Sequence, residues 1–114
     1  MNRLDPKLVC GVKVFMGSST GSLLVSEEKA LSRIFAESPI LVATHCEDNE
    51  LIAQELYKYK RAYENNIQPS MHPMIRSAEA CYRSTAKAVE LADKYGSQLH
   101  VLHLSSAREL TLFD

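Results

Sequence analysis

The sequence lacks the features that mark several large classes of protein. It has no tryptophan, and its three cysteines, Cys10, Cys46 and Cys81, form no CxxC pair. An odd number of scattered cysteines argues against a disulfide framework and favours a reducing compartment, so we expect a cytoplasmic protein. No apolar stretch approaches the roughly 20 residues that a membrane span requires, and the first residues have no apolar core of a signal peptide.

An excess of charge of one sign is also missing. The chain has 13 Lys and Arg against 14 Asp and Glu, which gives a formal net charge of -1. A protein that binds nucleic acid or an anionic membrane needs a basic patch, so we expect neither partner, and small molecules or proteins instead. With 114 residues, 46% of them hydrophobic, the chain has the material for one domain or part of one.

What the sequence contains is an alternation of apolar strands and amphipathic helices. Strands are predicted at residues 12–15, 40–45 and 99–104, and helices at about 27–37, 48–63, 74–95 and from 107 onward. Ser26 is the predicted N-cap of the first helix, Gly96 the C′ residue of the longest, and Ser106 with Glu109 a capping box. This order is typical of parallel βαβ units, so the predicted fold class is α/β. Since a (β/α)₈ TIM barrel takes about 250 residues, three strands are a partial barrel, or else a small open sheet.

Two histidines stand at the carboxyl ends of predicted strands, where the sites of α/β proteins lie. His45 closes the second strand, and His103 is one residue before the end of the third. The two-residue period of strands predicts that His100 points to the face opposite His103. Neutral imidazole suits zinc, although a strand histidine is more often a hydrogen-bonded core or rim residue. From the residues alone, both interpretations stay open.

Lys13 is unusual because it lies inside the apolar run Val-Lys-Val-Phe of a strand predicted to be buried. A buried ammonium must be paired, neutralised or modified, and a neutral amine can add carbon dioxide to become a metal-bridging carbamate. The simpler interpretation is an ion pair, or a side chain that extends to the rim. Glu47 and Asp48, after His45, either orient that histidine or complement a helix dipole, and the dipole interpretation is favoured.

A resemblance rests on four strings in this order and spacing: GVKVFMGSSTG (11–21), ATHCEDNELI (43–52), HPMIRSAEACYRSTAKAVELA (72–92) and HVLHLSSARE (100–109). They resemble dihydroorotases and their relatives, the allantoinases and hydantoinases. The resemblance implies a (β/α)₈ barrel with two zinc ions, of which this chain is an internal piece covering strands four to six. It assigns Lys13, commonly carbamylated, as the bridging ligand, and His45 and His103 as the ligands from strands five and six. His100 is not a ligand on this interpretation, and we expect it to pack or form hydrogen bonds on the helix side of its strand.

The resemblance also implies an activity and partners. The expected reaction is the reversible hydrolysis of the ring amide of dihydroorotate, which gives carbamoyl aspartate, in pyrimidine biosynthesis. An allantoinase or hydantoinase type is the nearest alternative. The family's first-strand HxH pair and eighth-strand aspartate have no counterpart here, so little or no activity is expected from this chain alone. A non-catalytic fragment that acts through assembly is the other hypothesis, because exposed sheet edges favour a homo-oligomer.

Overall fold

The core of the fold is a parallel sheet of three short strands. The structure is a computed structural model, and it describes residues 4–17, 24–25 and 27–113. Strands β1 (Val12–Phe15), β2 (Val42–His45) and β3 (Leu99–Val101) lie side by side in that order and all run parallel. The predicted α/β class is therefore confirmed. Strand β3 is shorter than predicted, because the sheet pairing stops before residue 102 and the chain turns away.

Helices connect the strands. They are α1 (Glu28–Glu37), α2 (Asn49–Ala62), α3 (His72–Ile75) and α4 (Ala78–Tyr95), with 3₁₀ helices at Pro69–Met71 and Ala107–Leu112. The helix predicted at about 74–95 is present as α4, but its predicted start is wrong. Ser77 begins a new helix, because its hydroxyl accepts a hydrogen bond from the backbone N–H of Ala80 and caps α4. Among the helices that the structure describes, none has the length and apolar content that crossing a bilayer demands.

The predicted helix ends are largely confirmed. Gly96 ends α4 with a φ of 65°, the left-handed conformation that glycine adopts without steric cost. The capping box at Ser106 is present, since Glu109 accepts hydrogen bonds from both the backbone N–H and the hydroxyl of Ser106. It opens a 3₁₀ helix, however, where an α-helix was expected. The predicted cap Ser26 lies outside the described residues.

The two faces of the sheet have different surroundings. One face packs against α1 and α4, where Val14 and Val42 contact a cluster that includes Phe35 and Leu91. Residues paired across parallel strands share a face, so the opposite face carries two sets that are in register: Lys13, Ala43 and His100, then Phe15 and His45. The prediction that His100 lies on the helix side is therefore wrong. Its place on the open face leaves it exposed.

Candidate metal centre

Two imidazoles meet at the carboxyl edge of the sheet. His45 is the last residue of β2, and His103 follows β3 by two residues. The Nδ1 atom of His45 lies 2.8 Å from the Nε2 atom of His103, and the ring centroids are 4.8 Å apart. The two histidines that the resemblance assigns as metal ligands therefore lie in direct contact.

The backbone at His103 explains how its ring reaches His45. Strict alternation from Leu99 and Val101, which pack toward the helix-covered core, would place His103 on that same side. His103 instead has a φ of 39°, in the left-handed region that few residues other than glycine adopt. This turn redirects the side chain to the open face. The predicted face of His103 is therefore wrong, and its ring lies against that of His45 instead.

Glu47 makes the second contact of the His45 ring. Its Oε2 atom lies 3.1 Å from Nε2 of His45 and accepts a hydrogen bond of 2.8 Å from Nη1 of Arg76. Asp48 has the other role, as the N-cap of α2, where its side chain accepts from the backbone N–H groups of Glu50 and Leu51. The dipole interpretation thus describes Asp48, whereas Glu47 contacts the histidine.

Arg76 is a site residue that sequence reasoning missed. It occupies the short break between α3 and α4 and is separated from Glu47 by 29 positions. No periodicity points to it, because it belongs to no predicted apolar face. The one available signal was chemical: a carboxylate beside a strand-end histidine calls for a cationic partner if it is buried.

Lys13 lies on the same sheet face, two register pairs before His45. Its Nζ atom is 4.6 Å from the centroid of the Phe15 ring, and that ring is 5.9 Å from the ring of His45. Lys13 is exposed, so the prediction of a buried lysine is wrong. The physical reason is that, within the described residues, helices cover only the other face of this sheet, where Val14 is buried. An ammonium here needs no partner, since water solvates it.

A cavity of about 310 Å³ opens beside the histidine pair. Its polar lining comes from β2, from the segment around α3 and from the segment after β3: His45, Glu47, His72, Arg76, His103, Ser105 and Glu109, together with the thiol of Cys81. Burial raises the pKa of the Cys81 thiol, and nearby Glu109 raises it further. The Cys81 thiol therefore faces the cavity in its protonated form at neutral pH.

Gly17, two residues after β1, lies close to the backbone of Glu47. A Cβ atom added to Gly17 would overlap the backbone carbonyl oxygen of Glu47, so only glycine allows the approach. Cys46, between His45 and Glu47, turns into the core and is 6% exposed, as expected for a small buried hydrophobe. Burial raises the pKa of its thiol as well.

The two imidazole nitrogens of His45 and His103 are donor atoms of a type that zinc binds. Two nitrogens bound to one tetrahedral zinc ion at roughly 2.0–2.1 Å lie roughly 3.3 Å apart, so the rings need to separate by about half an ångström. The carboxylate on the far nitrogen of His45 is the partner that metal-bound histidines commonly have. Within residues 4–17, 24–25 and 27–113, no group of three or more His, Cys, Asp or Glu side chains is arranged to hold an ion. Among the described residues, two imidazole nitrogens meet at this point.

The sequence is similar to proteins of known activity. It is 30% identical over 105 residues to a dihydroorotase of Methanothermobacter thermautotrophicus, a match that covers 90% of this chain and 22% of that protein. It is 32% identical over 71 residues to a dihydroorotase of Methanosphaera stadtmanae, covering 62% of this chain and 17% of that one. The chain therefore spans about a fifth of the length of these curated relatives. No protein-family model matches it.

Solved structures agree with the sequence matches. A D-hydantoinase from Bacillus sp. AR9 matches 93% of this chain with a TM-score of 0.77 and 27% identity, over 23% of its own length. A dihydropyrimidinase from Brevibacillus agri matches with the same TM-score and coverage at 28% identity. The resemblance to cyclic amidohydrolases is confirmed. These neighbours are TIM-barrel amidohydrolases, so the three parallel strands with flanking helices match a segment of a barrel.

Proposed function

We propose that these 114 residues form part of one barrel domain of a zinc-dependent cyclic amidohydrolase of the dihydroorotase type. The complete enzyme would catalyse the reversible hydrolysis of the ring amide of dihydroorotate, a step of pyrimidine biosynthesis. The ligands would be His45, His103 and a carbamylated Lys13. The observation that carries the proposal is the 2.8 Å approach of two imidazole nitrogens at the carboxyl edge of a parallel sheet.

Each of the three residues contributes through its place on the open face. His45 and His103 bring nitrogens from two neighbouring strand ends to one point, and Glu47 holds the first ring. Lys13 is exposed, so its amine is accessible to carbon dioxide, and its long side chain lies along the same face. When bound, zinc supplies Lewis-acid chemistry, which polarises an amide carbonyl and activates water.

Metal content tests the site directly. The purified chain is loaded with zinc in bicarbonate, dialysed and measured by elemental analysis, in wild type and in the variants His45→Ala and His103→Ala. His100→Ala is the matched control, because that histidine also belongs to β3 and the open face but lies outside the pair. We expect zinc retention in wild type and in the control, and its loss in both site variants. Equal retention in all four proteins would contradict the assignment.

Lys13 needs its own measurement. Incubation with ¹³C-labelled bicarbonate should give a carbamate carbon signal in NMR spectra that disappears in Lys13→Arg. Lys7→Arg is the control, since Lys7 is also exposed but lies before the sheet. A signal that survives in Lys13→Arg would assign the carbamate to another amine and remove Lys13 from the proposed ligand set.

The proposed substrate rests on the names of the sequence relatives. The curated matches are dihydroorotases, whereas the solved structures are hydantoinases and dihydropyrimidinases, so the printed names differ in the ring. We favour dihydroorotate as the substrate because the sequence relatives are dihydroorotases. Assays of the full-length parent with dihydroorotate, allantoin and hydantoin decide the question, and dihydroorotate should give the largest kcat/KM. The isolated chain should show little activity with any of them.

Self-association is a second proposed property. Among the described residues, the outer edge of β3 is unpaired, and the outer edge of β1 makes only an isolated bridge between Phe15 and Leu24. Unpaired edges favour strand pairing between copies of a chain. Size-exclusion chromatography with light scattering should therefore show dimers or larger species, and a concentration-independent monomer would contradict this.

A further inference from the structure

We propose that Glu47 is a positioning residue: held by Arg76, it fixes the ring orientation and the tautomer of His45. The consequence for metal binding rests on the proposed function, but the hydrogen-bond arrangement itself does not. Two side chains from separate segments contact one carboxylate oxygen, since Oε2 of Glu47 lies 2.8 Å from Nη1 of Arg76 and 3.1 Å from Nε2 of His45.

The chemistry of the partners sets the direction of each hydrogen bond. Arg76 can only donate, and an ionised Glu47 can only accept. The contact between Glu47 and Nε2 of His45 therefore requires a proton on Nε2. In a neutral ring this leaves Nδ1 with a lone pair, so Nε2 of His103 must donate across the 2.8 Å contact. Both ring N–H groups therefore donate in the same direction. Nε2–H of His103 donates to Nδ1 of His45, and Nε2–H of His45 donates to Glu47.

Burial makes this arrangement stronger than a surface ion pair. The side chain of Glu47 is 11% exposed and that of His45 is 19% exposed, whereas Arg76 is 37% exposed and closes the site from outside. Charge-assisted hydrogen bonds in such a partly desolvated place are shorter and stronger than neutral ones. The backbone of Glu47 is also confined by the close approach of Gly17. The close approach of Gly17 thus restrains the backbone of Glu47, and the hydrogen bond from Arg76 restrains its carboxylate.

The arrangement has a consequence for ligation. His45 already presents an unprotonated Nδ1, so it binds a metal ion without changing its tautomer. His103 must move its proton from Nε2 to Nδ1 before Nε2 can bind. Loss of an outer carboxylate of this kind typically lowers metal affinity about 10–100-fold. We expect that range for zinc when the acceptor at position 47 is removed.

The test is NMR of the metal-free chain, because long-range ¹H–¹⁵N correlations report the tautomer of each histidine. Wild type should show His45 protonated on Nε2. Glu47→Ala should lose this preference, whereas Glu47→Gln, which keeps an oxygen acceptor, should retain it. Glu50→Ala is the control, since Glu50 is an exposed acid three positions away. Zinc titrations of the same proteins should show a 10–100-fold loss of affinity for Glu47→Ala and less than that for Glu47→Gln.

Two results would overturn the proposal. One is a wild-type His45 that carries its proton on Nδ1, a result that needs no variant and does not depend on any variant folding. The other is an unchanged tautomer in a folded Glu47→Ala, which would reduce Glu47 to an ion-pair partner of Arg76. If the tautomers are as expected but wild type retains no zinc, the metal function fails and the positioning role stands.

Discussion

A buried hydrogen bond between α4 and the 3₁₀ helix Ala107–Leu112 gives the sharpest stability prediction. The hydroxyl of Thr85 donates to Oε1 of Glu109 at 2.6 Å. Thr85 is 0% exposed and Glu109 is 2% exposed. The other carboxyl oxygen accepts from the backbone N–H and hydroxyl of Ser106. Thr85→Val keeps the shape of the side chain and removes the one donor to Oε1 that the structure describes.

The size of the effect follows from the charge and the burial of the acceptor. A hydrogen bond to a charged group contributes about 1.5–3 kcal/mol, and removing the donor leaves a buried carboxylate oxygen unsatisfied. The methyl group that replaces the hydroxyl recovers part of this. We expect the free energy of unfolding to fall by about 2 kcal/mol. For 114 residues, this corresponds to a decrease in Tm of roughly 8 °C.

Urea denaturation followed by circular dichroism measures this change. Thr111→Val is the matched control, because Thr111 is exposed and its hydroxyl donates only to the carbonyl of Arg108 among the contacts that the structure describes. The control should change the free energy of unfolding by less than about 0.5 kcal/mol. A cost for Thr85→Val that is no larger than that of the control would refute the argument, and would mean that water satisfies Glu109 equally well.

Three further predictions concern two glycines, the reactivity of the thiols and the pH dependence of stability. Gly17→Ala should lower both stability and zinc retention, because its Cβ would displace the backbone of Glu47, whereas Gly96→Ala should cost about 1–2 kcal/mol through its positive φ and leave zinc retention unchanged. An alkylating reagent at neutral pH should modify the exposed Cys10 first and Cys46 last, and equal rates would contradict the burial of Cys46. Burial raises the folded-state pKa of Cys46, so its protonated form stabilises the fold below the ordinary thiol value of 9.0, and this contribution should fall as the pH rises above it.

The sequence predicted the fold class because its apolar runs have the length and continuity of parallel strands. Val42 and Thr44 are both 0% exposed, as expected for a strand covered by helices. The prediction that Lys13 is buried failed, because an apolar run does not indicate which face of a strand is covered by helices. Continuous hydrophobicity predicts burial on both faces of a strand, but only the helix side is covered by the residues that the structure describes.

Helix boundaries were less predictable than helix existence. The segment 74–95 has no proline or glycine to interrupt it, so periodicity predicted one helix. The serine at position 77 competes by capping a new helix with its own side chain, which residue-by-residue propensity does not capture. Arg76 occupies the resulting break. The same local competition that shortened the predicted helix therefore placed an unpredicted residue in the site.

The two histidines show where strand alternation can be extended and where it cannot. Beyond β2 the period of two continues: His45 faces the open side, Cys46 the core and Glu47 the open side again, so a His-x-Glu pattern at a strand end predicts their contact. Beyond β3 the period breaks, because His103 adopts a positive φ. Histidine is among the residues enriched in that conformation, yet its identity does not require it. The partner of His45 was therefore available from the sequence, whereas the direction of His103 depends on a turn that only the three-dimensional structure reveals.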